Sequence, residues 1–367
     1  MPTTPTLYLH IGHDKTGSSF IQSTLALNDE ALKANGIHYP SVGNFSKARQ
    51  GFISNGNWAA FDDPAASIKA APPQCHATLF SSEGIFARLA TPQHFVTFTG
   101  MLDRLAIEKV NVLLFIRDPI DHISSEYQQK IKRGGEHLPS IDDYSHTYKM
   151  PTRVRKLLAL FEEKPVFDVT IRNYSRVRDG ILPIFSEWLG LPADALNASR
   201  LDQVVNRSLT QDELYIQRRL NMHLGRSGEL VADRLCNLLP QVESSLSLPG
   251  PDAQREMLAR LAEDIAAVNA RVEPGHAYAL EVVEGEDRPA SEALRLSEEQ
   301  ANVIIDGLAE EIASLRQANA KLRKTLEANR KRDKDIRPSP ASDKTSRPPA
   351  SGLQALAARF LKRLRVR

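Results

Sequence analysis

Apolar positions in the first half of the chain fall into short aliphatic runs separated by longer amphipathic stretches. Leu7 to Ile11, Ala77 to Ser81, Val110 to Ile116 and Val166 to Tyr174 read as buried strands. Between and after them, helical spacing runs from about Ser18 to Ala34, Ile85 to Ala90, Ile120 to Lys132, Pro151 to Glu163 and Ile181 to Leu189. Proline at a helix start and Gly190 after a helix end agree with this division. Strands alternating with helices predict an α/β fold, a parallel sheet covered on both faces in three layers. From about Thr210 the pattern becomes mostly helical, over Asp212–His223, Glu229–Leu239 and Asp252–Val272. The catalytic body is expected to span 1–290.

Beyond Leu294 the periodicity changes again. Ile305, Leu308, Ile312, Leu315, Asn319, Leu322, Leu326 and Asn329 alternate at spacings of three and four, a narrow seam with charged flanks. A coiled coil over 294–335 is expected, with self-association through 305–329. Residues 336–351 are rich in Pro, Ser, Asp and Lys and read as a disordered linker. The last stretch, 352–367, reads as a basic amphipathic helix. It gathers Leu353, Leu356, Phe360, Leu361 and Leu364 on one face and Arg359, Lys362 and Arg363 elsewhere, a pattern that suits a membrane surface or a docking peptide.

Composition narrows the function classes. Among 367 residues, 47 Lys and Arg face 45 Asp and Glu, a net charge of +2. From Leu315 onward there are 16 basic and 4 acidic residues, which leaves 31 and 41 for the rest. A mildly acidic body with a basic tail does not read as a nucleic-acid binder, and few aromatics interleave with the tail's charges. Two cysteines, Cys75 and Cys236, have neither disulfide-framework nor metal-ligand spacing, so a cytoplasmic setting is expected. The N-terminal residues lack the basic and apolar segments of a signal peptide, and no apolar run is long enough to span a bilayer. Peripheral contact with the inner membrane face would fall to 353–367.

The densest chemistry lies in Leu7-Tyr-Leu-His-Ile-Gly-His-Asp-Lys-Thr-Gly-Ser-Ser-Phe-Ile-Gln22. A strand enters a loop holding Gly12 and Gly17 and leaves it as a helix. Unpaired helix-start amides collect oxyanions in such a loop. Lys15, Thr16, Gly17, Ser18 and Ser19 are the candidate ligands. The Gly-Lys-Ser/Thr triplet of nucleoside-triphosphatase loops is absent, since position 18 is Ser, so no magnesium-binding hydroxyl is specified and no metal is expected. A second candidate anion site follows the strand ending at Arg117, with Ser125 on the next helix.

With these two stretches in this order, the sequence resembles the sulfotransferases that use 3′-phosphoadenosine 5′-phosphosulfate. In that family a Lys-Thr-Gly-Thr-Thr loop binds the 5′-phosphosulfate; here it reads Lys15-Thr-Gly-Ser-Ser19. An Arg-Asp-Pro strand end with Ser eight residues on binds the 3′-phosphate; here these are Arg117, Asp118, Pro119 and Ser125, with Tyr127 two further on. The likeness covers about residues 5–225 and leans to the bacterial glycan-modifying branch. It implies a three-layer sheet of the P-loop type, the phosphosulfate nucleotide as co-substrate and a saccharide or lipid-linked saccharide acceptor. The Arg-Lys-Gly segment of the cytosolic branch has no clear counterpart, and Arg207 is the candidate substitute.

Sulfuryl transfer to a hydroxyl needs a general base. Glu83 follows the strand Ala77–Ser81 and should stand beside the anion loops, so it is the first choice, with His13, His10 and His122 as rivals. The segments Asn44–Pro73 and Lys132–Met150, with Trp58, Phe61, Tyr144 and Tyr148, read as covers on the acceptor side. The competing readings are a magnesium-dependent kinase-like enzyme and a silent oligomeric scaffold on the same fold.

Overall fold

Five parallel strands form one sheet in the order β2-β3-β1-β4-β5. The computed structural model describes residues 6–40, 56–134, 138–192, 194–197, 207–225, 227–228, 230–243, 247–284 and 294–335. The strands are β1 (Thr6–Gly12), β2 (Ile37–His38), β3 (Ala77–Ser81), β4 (Val110–Ile116) and β5 (Phe167–Asn173). Strand β1 lies at the centre, with Leu9 level with Phe80 of β3 on one side and Val112 of β4 on the other. The chain visits β3 and then crosses to β4, so the strand order turns around at β1. In open parallel sheets a ligand crevice forms at such a point, beyond the carboxyl ends of the strands.

Burial on both faces explains why these strands read as nearly continuous apolar runs. Val110, Val112, Leu114 and Ile116 join Leu7, Leu9 and Ile11 in one core. Leu113 and Phe115 point the other way, into a second core with Ile21, Leu25, Ile181 and Phe185. The second core is roofed by α1 (Ser18–Leu27) and by the helix Ile181–Trp188. The first is covered chiefly by the helices Glu83–Leu89, Pro92–Arg104, Pro119–Lys132 and Met150–Glu162. This is the expected α/β layering.

Two expected helices are broken, and one helix was not expected. The stretch 18–34 breaks at Asn28, whose side-chain amide donates to the Thr24 carbonyl at 2.8 Å and so competes with helix continuation. The stretch 252–272 divides at the buried Leu261 into Pro251–Arg260 and Ala262–Asn269. The helix Pro92–Arg104 has no counterpart in the strand-and-helix pattern. It is held by Phe95, Phe98, Met101 and Leu102, which all enter the first core.

The aromatic residues expected in covers are also redeployed. Phe61 packs edge-on against Phe80 at 5.4 Å between ring centres, and Tyr144 and Tyr148 are buried in the first core. They stabilise the body and are not available to an acceptor.

The chain divides into two units, Met1–Glu310 and Glu311–Arg367. The boundary falls within one helix, Glu298–Asp335, which covers most of the expected 294–335 segment. The expected linker at 336–351 and the basic helix at 352–367 lie outside the described residues. Among the described residues no helix is long and apolar enough to cross a membrane.

The central strand sets the stability of the whole. Leu9 is fully buried, so Leu9→Ala should cost about 2–5 kcal/mol in urea unfolding. Val96, 67% exposed on its helix, should change by no more than about 0.5 kcal/mol when replaced by Ala.

Candidate functional site

The loop after β1 is shaped by its backbone. Gly17 caps α1 with φ at +79°, and a Cβ there would stand 2.6 Å from the ring of Tyr174. Only glycine meets both conditions at low cost. Gly12 is needed for a different reason, because a Cβ at that position would collide with Thr16 Oγ1. Thr16 is buried and donates its hydroxyl to the His13 carbonyl at 2.8 Å. Lys15 also takes a left-handed φ of +67°, an uncommon conformation for a residue with a side chain. No side chain caps the start of α1, so the first-turn amides of Ser18 and Ser19 are left for an anion.

Arg117, at the end of β4, closes on this loop. Its guanidinium donates to the Lys15 carbonyl at 2.9 Å, and its backbone N–H donates to His13 Nε2 at 3.1 Å. The guanidinium also lies over the Tyr174 ring, 5.6 Å from its centre. Arg117 Nε is buried without a partner, a donor left open beside the loop.

The two stretches meet in a cleft of about 670 Å³. Lys15, Gly17, Ser18, Ser19, Glu83, Arg117, Ser125 and Arg207 all line it, so eight of the expected site residues share one cavity. Thr16 lies beneath the loop as a brace. Gln128, Gln129, Lys132 and Arg133 complete one wall, and Arg178 contributes from beyond β5. The wall residues were not foreseen individually. Their signal was present all the same, since Ser125, Gln128, Gln129 and Lys132 follow the three-and-four spacing of one helix face behind Arg117.

Charge is unevenly matched here. Lys15 donates to Gln129 Oε1 at 2.5 Å. Burial, followed by repulsion from Lys132, Arg133 and Arg117, holds its ammonium down at about 8, against a partial offset from Asp14. Burial likewise lowers the Arg117 guanidinium from its ordinary value. Six basic side chains and three carboxylates, Asp14, Glu83 and Glu243, line the cavity.

The histidines are committed elsewhere. His10 donates to or accepts from Ser81 Oγ at 2.7 Å and packs edge-on against Phe115 and Phe185, and burial lowers its pKa to about 3. His13 donates through Nδ1 to the Asp14 carbonyl at 3.0 Å and accepts from Arg117 at Nε2. Burial and the neighbouring His122 keep it well below the usual range. His122 donates through Nε2 to the same carbonyl and accepts from the Tyr148 hydroxyl, each at 3.0 Å. His13, Asp14 and His122 lie close enough to suggest a metal site, but both ring lone pairs already accept hydrogen bonds. Neither ring is placed to ligate an ion or to take a proton from a substrate.

Three carboxylates line the cleft, Asp14, Glu83 and Glu243, and Glu83 is the one expected from the sequence. It stands at the first position of its helix, after the capping Ser82, and accepts from Gln22 Nε2 at 3.1 Å. It is partly exposed to the cleft.

Arg207 reaches the cleft wall, but its donors are taken within the protein. Two of its donors form a bidentate pair with Glu213, both at 2.8 Å, and both side chains are buried. Its remaining donors reach the carbonyls of Ser208, Leu235 and Leu239. All five are taken, so the guanidinium holds the helical segment together and presents no free fork to an anion. Tyr127 is similarly structural, buried and donating to the Pro139 carbonyl at 2.9 Å.

No protein-family model matches the chain, and no curated protein matches it. Among solved structures, it is similar to the sulfotransferase domain from the Synechococcus PCC 7002 olefin synthase, at 13% identity over 72% of this chain and 96% of that one, with a TM-score of 0.32. It is also similar to retinol dehydratase in complex with androsterone and the inactive cofactor PAP, at 11% identity over 62% and 68%, with a TM-score of 0.24.

Two measurements separate the roles of the basic residues. Arg207→Ala should cost about 3–5 kcal/mol in chemical unfolding, because Glu213 would be left buried without a counter-charge, whereas Arg117→Ala should mainly weaken phosphate binding. Calorimetric titration of adenosine 3′,5′-bisphosphate should show affinity falling as pH rises through about 8, where Lys15 loses its proton. The Lys15→Arg variant should lose that pH dependence.

Proposed function

We propose that this chain is a sulfotransferase that moves a sulfuryl group from 3′-phosphoadenosine 5′-phosphosulfate to a hydroxyl of a saccharide or lipid-linked saccharide. The observation that carries the reading is the convergence of two anion-binding elements on one cleft. The Lys15-Thr-Gly-Ser-Ser19 helix start and the Arg117–Ser125 strand end share it with a partly exposed carboxylate, Glu83.

The residues suit a ligand with two separated phosphate groups. The uncapped start of α1 and Lys15 offer donors at one place, and Arg117 with its open Nε and Ser125 offer them at another. Arg133 and Arg178 add positive charge to the same cleft. A cavity of about 670 Å³ is of the size that holds a nucleotide-sized ligand. The saccharide acceptor is supported by the resemblance of the two motifs to the glycan-modifying branch.

The reaction assigned to these residues is an in-line displacement at sulfur. Glu83 takes the proton from the acceptor hydroxyl as its oxygen bonds to sulfur. The bond from sulfur to the 5′-phosphate oxygen breaks, and its electron pair stays with the departing phosphate. Lys15 and the amides of Ser18 and Ser19 stabilise that charge where it collects. Positioning and electrostatics supply the catalysis, as in phosphoryl transfer. A kinase reading would need a magnesium-holding hydroxyl after a Gly-Lys pair, and position 18 is Ser.

Transfer of labelled sulfate from the donor nucleotide to a saccharide panel tests the assignment. Lys15→Met should lower kcat about 100- to 1,000-fold. Glu83→Gln should lower it about 100- to 10,000-fold while leaving adenosine 3′,5′-bisphosphate binding nearly unchanged. Tighter binding of ATP than of the bisphosphate, or donor binding with no labelled product on any hydroxyl acceptor, would overturn the reading.

A further inference from the structure

The later part of the helix Glu298–Asp335 carries a row of apolar side chains that the proposed reaction does not use. Its early turns do pack: Ile304 is buried in the first core, Leu308 lies against it, and Gln300 donates to Glu213 at 2.8 Å. From Ile312 onward the apolar side chains are exposed, at 49% for Ile312, 53% for Leu315, 60% for Leu322 and 59% for Leu326. A helix with charges on all other faces gains little from propensity alone and needs a partner along its seam.

We propose that a second copy of this chain covers that seam in a parallel, in-register, two-stranded coiled coil. In heptad terms Ile312, Asn319 and Leu326 occupy a positions, and Leu315, Leu322 and Asn329 occupy d positions. The first heptad, with the β-branched Ile312 at a and Leu315 at d, has the pairing that favours two parallel strands. Asn319, buried only when it meets its counterpart, fixes the register at some cost in stability.

Charge decides the direction. In a parallel pair a g residue meets the e residue five positions on in the other helix. Glu311 at g would then face Arg316 at e of the second copy, while Ala318 and Thr325 at the next g positions repel nothing. In an antiparallel pair the e positions face one another, which brings Arg316 and Arg323 against arginines. The same seam therefore selects its own copy in one orientation.

Light scattering on the full-length protein should give twice the chain mass, and Leu315→Glu with Leu322→Glu should give a monomer. Because both leucines are exposed in the single chain, the body's circular dichroism and unfolding midpoint should be unchanged. Single Ile312→Cys and Leu326→Cys variants should each oxidise to a covalent dimer joined through like residues, identified by peptide mass spectrometry. An antiparallel pair centred on the seam would hold each new cysteine about 21 Å from its counterpart and give neither link. A monomeric wild type, a dimer that survives the double Glu change, or failure of both cysteines to link would overturn the proposal.

Discussion

Arg117 ties the end of β4 to the loop after β1, and the candidate site depends on that tie. Its guanidinium holds the Lys15 carbonyl, and its backbone N–H holds the His13 ring. The loop cannot rest on intrinsic preference alone, because Lys15 is left-handed and a conformation of that kind costs on the order of 1–3 kcal/mol unless its surroundings impose it. The parallel pairing of β1 with β4 brings the two ends together, and the hydrogen bonds then determine the loop's path. The open amides of α1 follow from that path.

The histidines belong to the same construction. His13 and His122 stack edge-on, 4.2 Å between ring centres, beneath the loop and converge on the Asp14 carbonyl. Burial holds His13 neutral, which is the state its two hydrogen bonds require: one nitrogen donating, the other accepting. A proton taken up there would break the bond from Arg117. These rings are therefore fixed parts of the scaffold. Glu83, by contrast, starts a helix at the end of the neighbouring strand, and its carboxylate remains partly exposed in the cleft.

Much of this was readable in the sequence, for identifiable reasons. Strands buried on both faces announce themselves as apolar runs, and β1, β3 and β4 were placed to within a residue or so. The two anion elements are local motifs, each carried by a strand and the turn that follows. Arg207 illustrates the opposite case. Only tertiary packing shows that Glu213 stands against it and that Leu235 and Leu239 turn their carbonyls toward it. A lone arginine in a sequence does not reveal whether its donors are already taken. The break at Asn28 is also decided beyond its own helix, since its side chain reaches the Asn197 carbonyl as well as Thr24. Tyr144 and Tyr148 looked like surface aromatics because their segment lacks a strand or long helix, yet the core claimed them.

The distribution of charge then limits what the cleft can attract. Residues before Leu315 carry 31 basic and 41 acidic side chains, so the body that contains the cleft is acidic as a whole. At physiological salt the screening length is about 8 Å, and Lys15, Arg117, Lys132 and Arg133 act over little more than the cleft itself. A long polyanion would meet repulsion once it extended beyond those residues. A compact ligand with two phosphates would place its whole charge within their reach. The depressed pKa of Lys15 points the same way: burial first, then repulsion from Lys132, Arg133 and Arg117, disfavours its charged form, and an anion beside it would favour that form again.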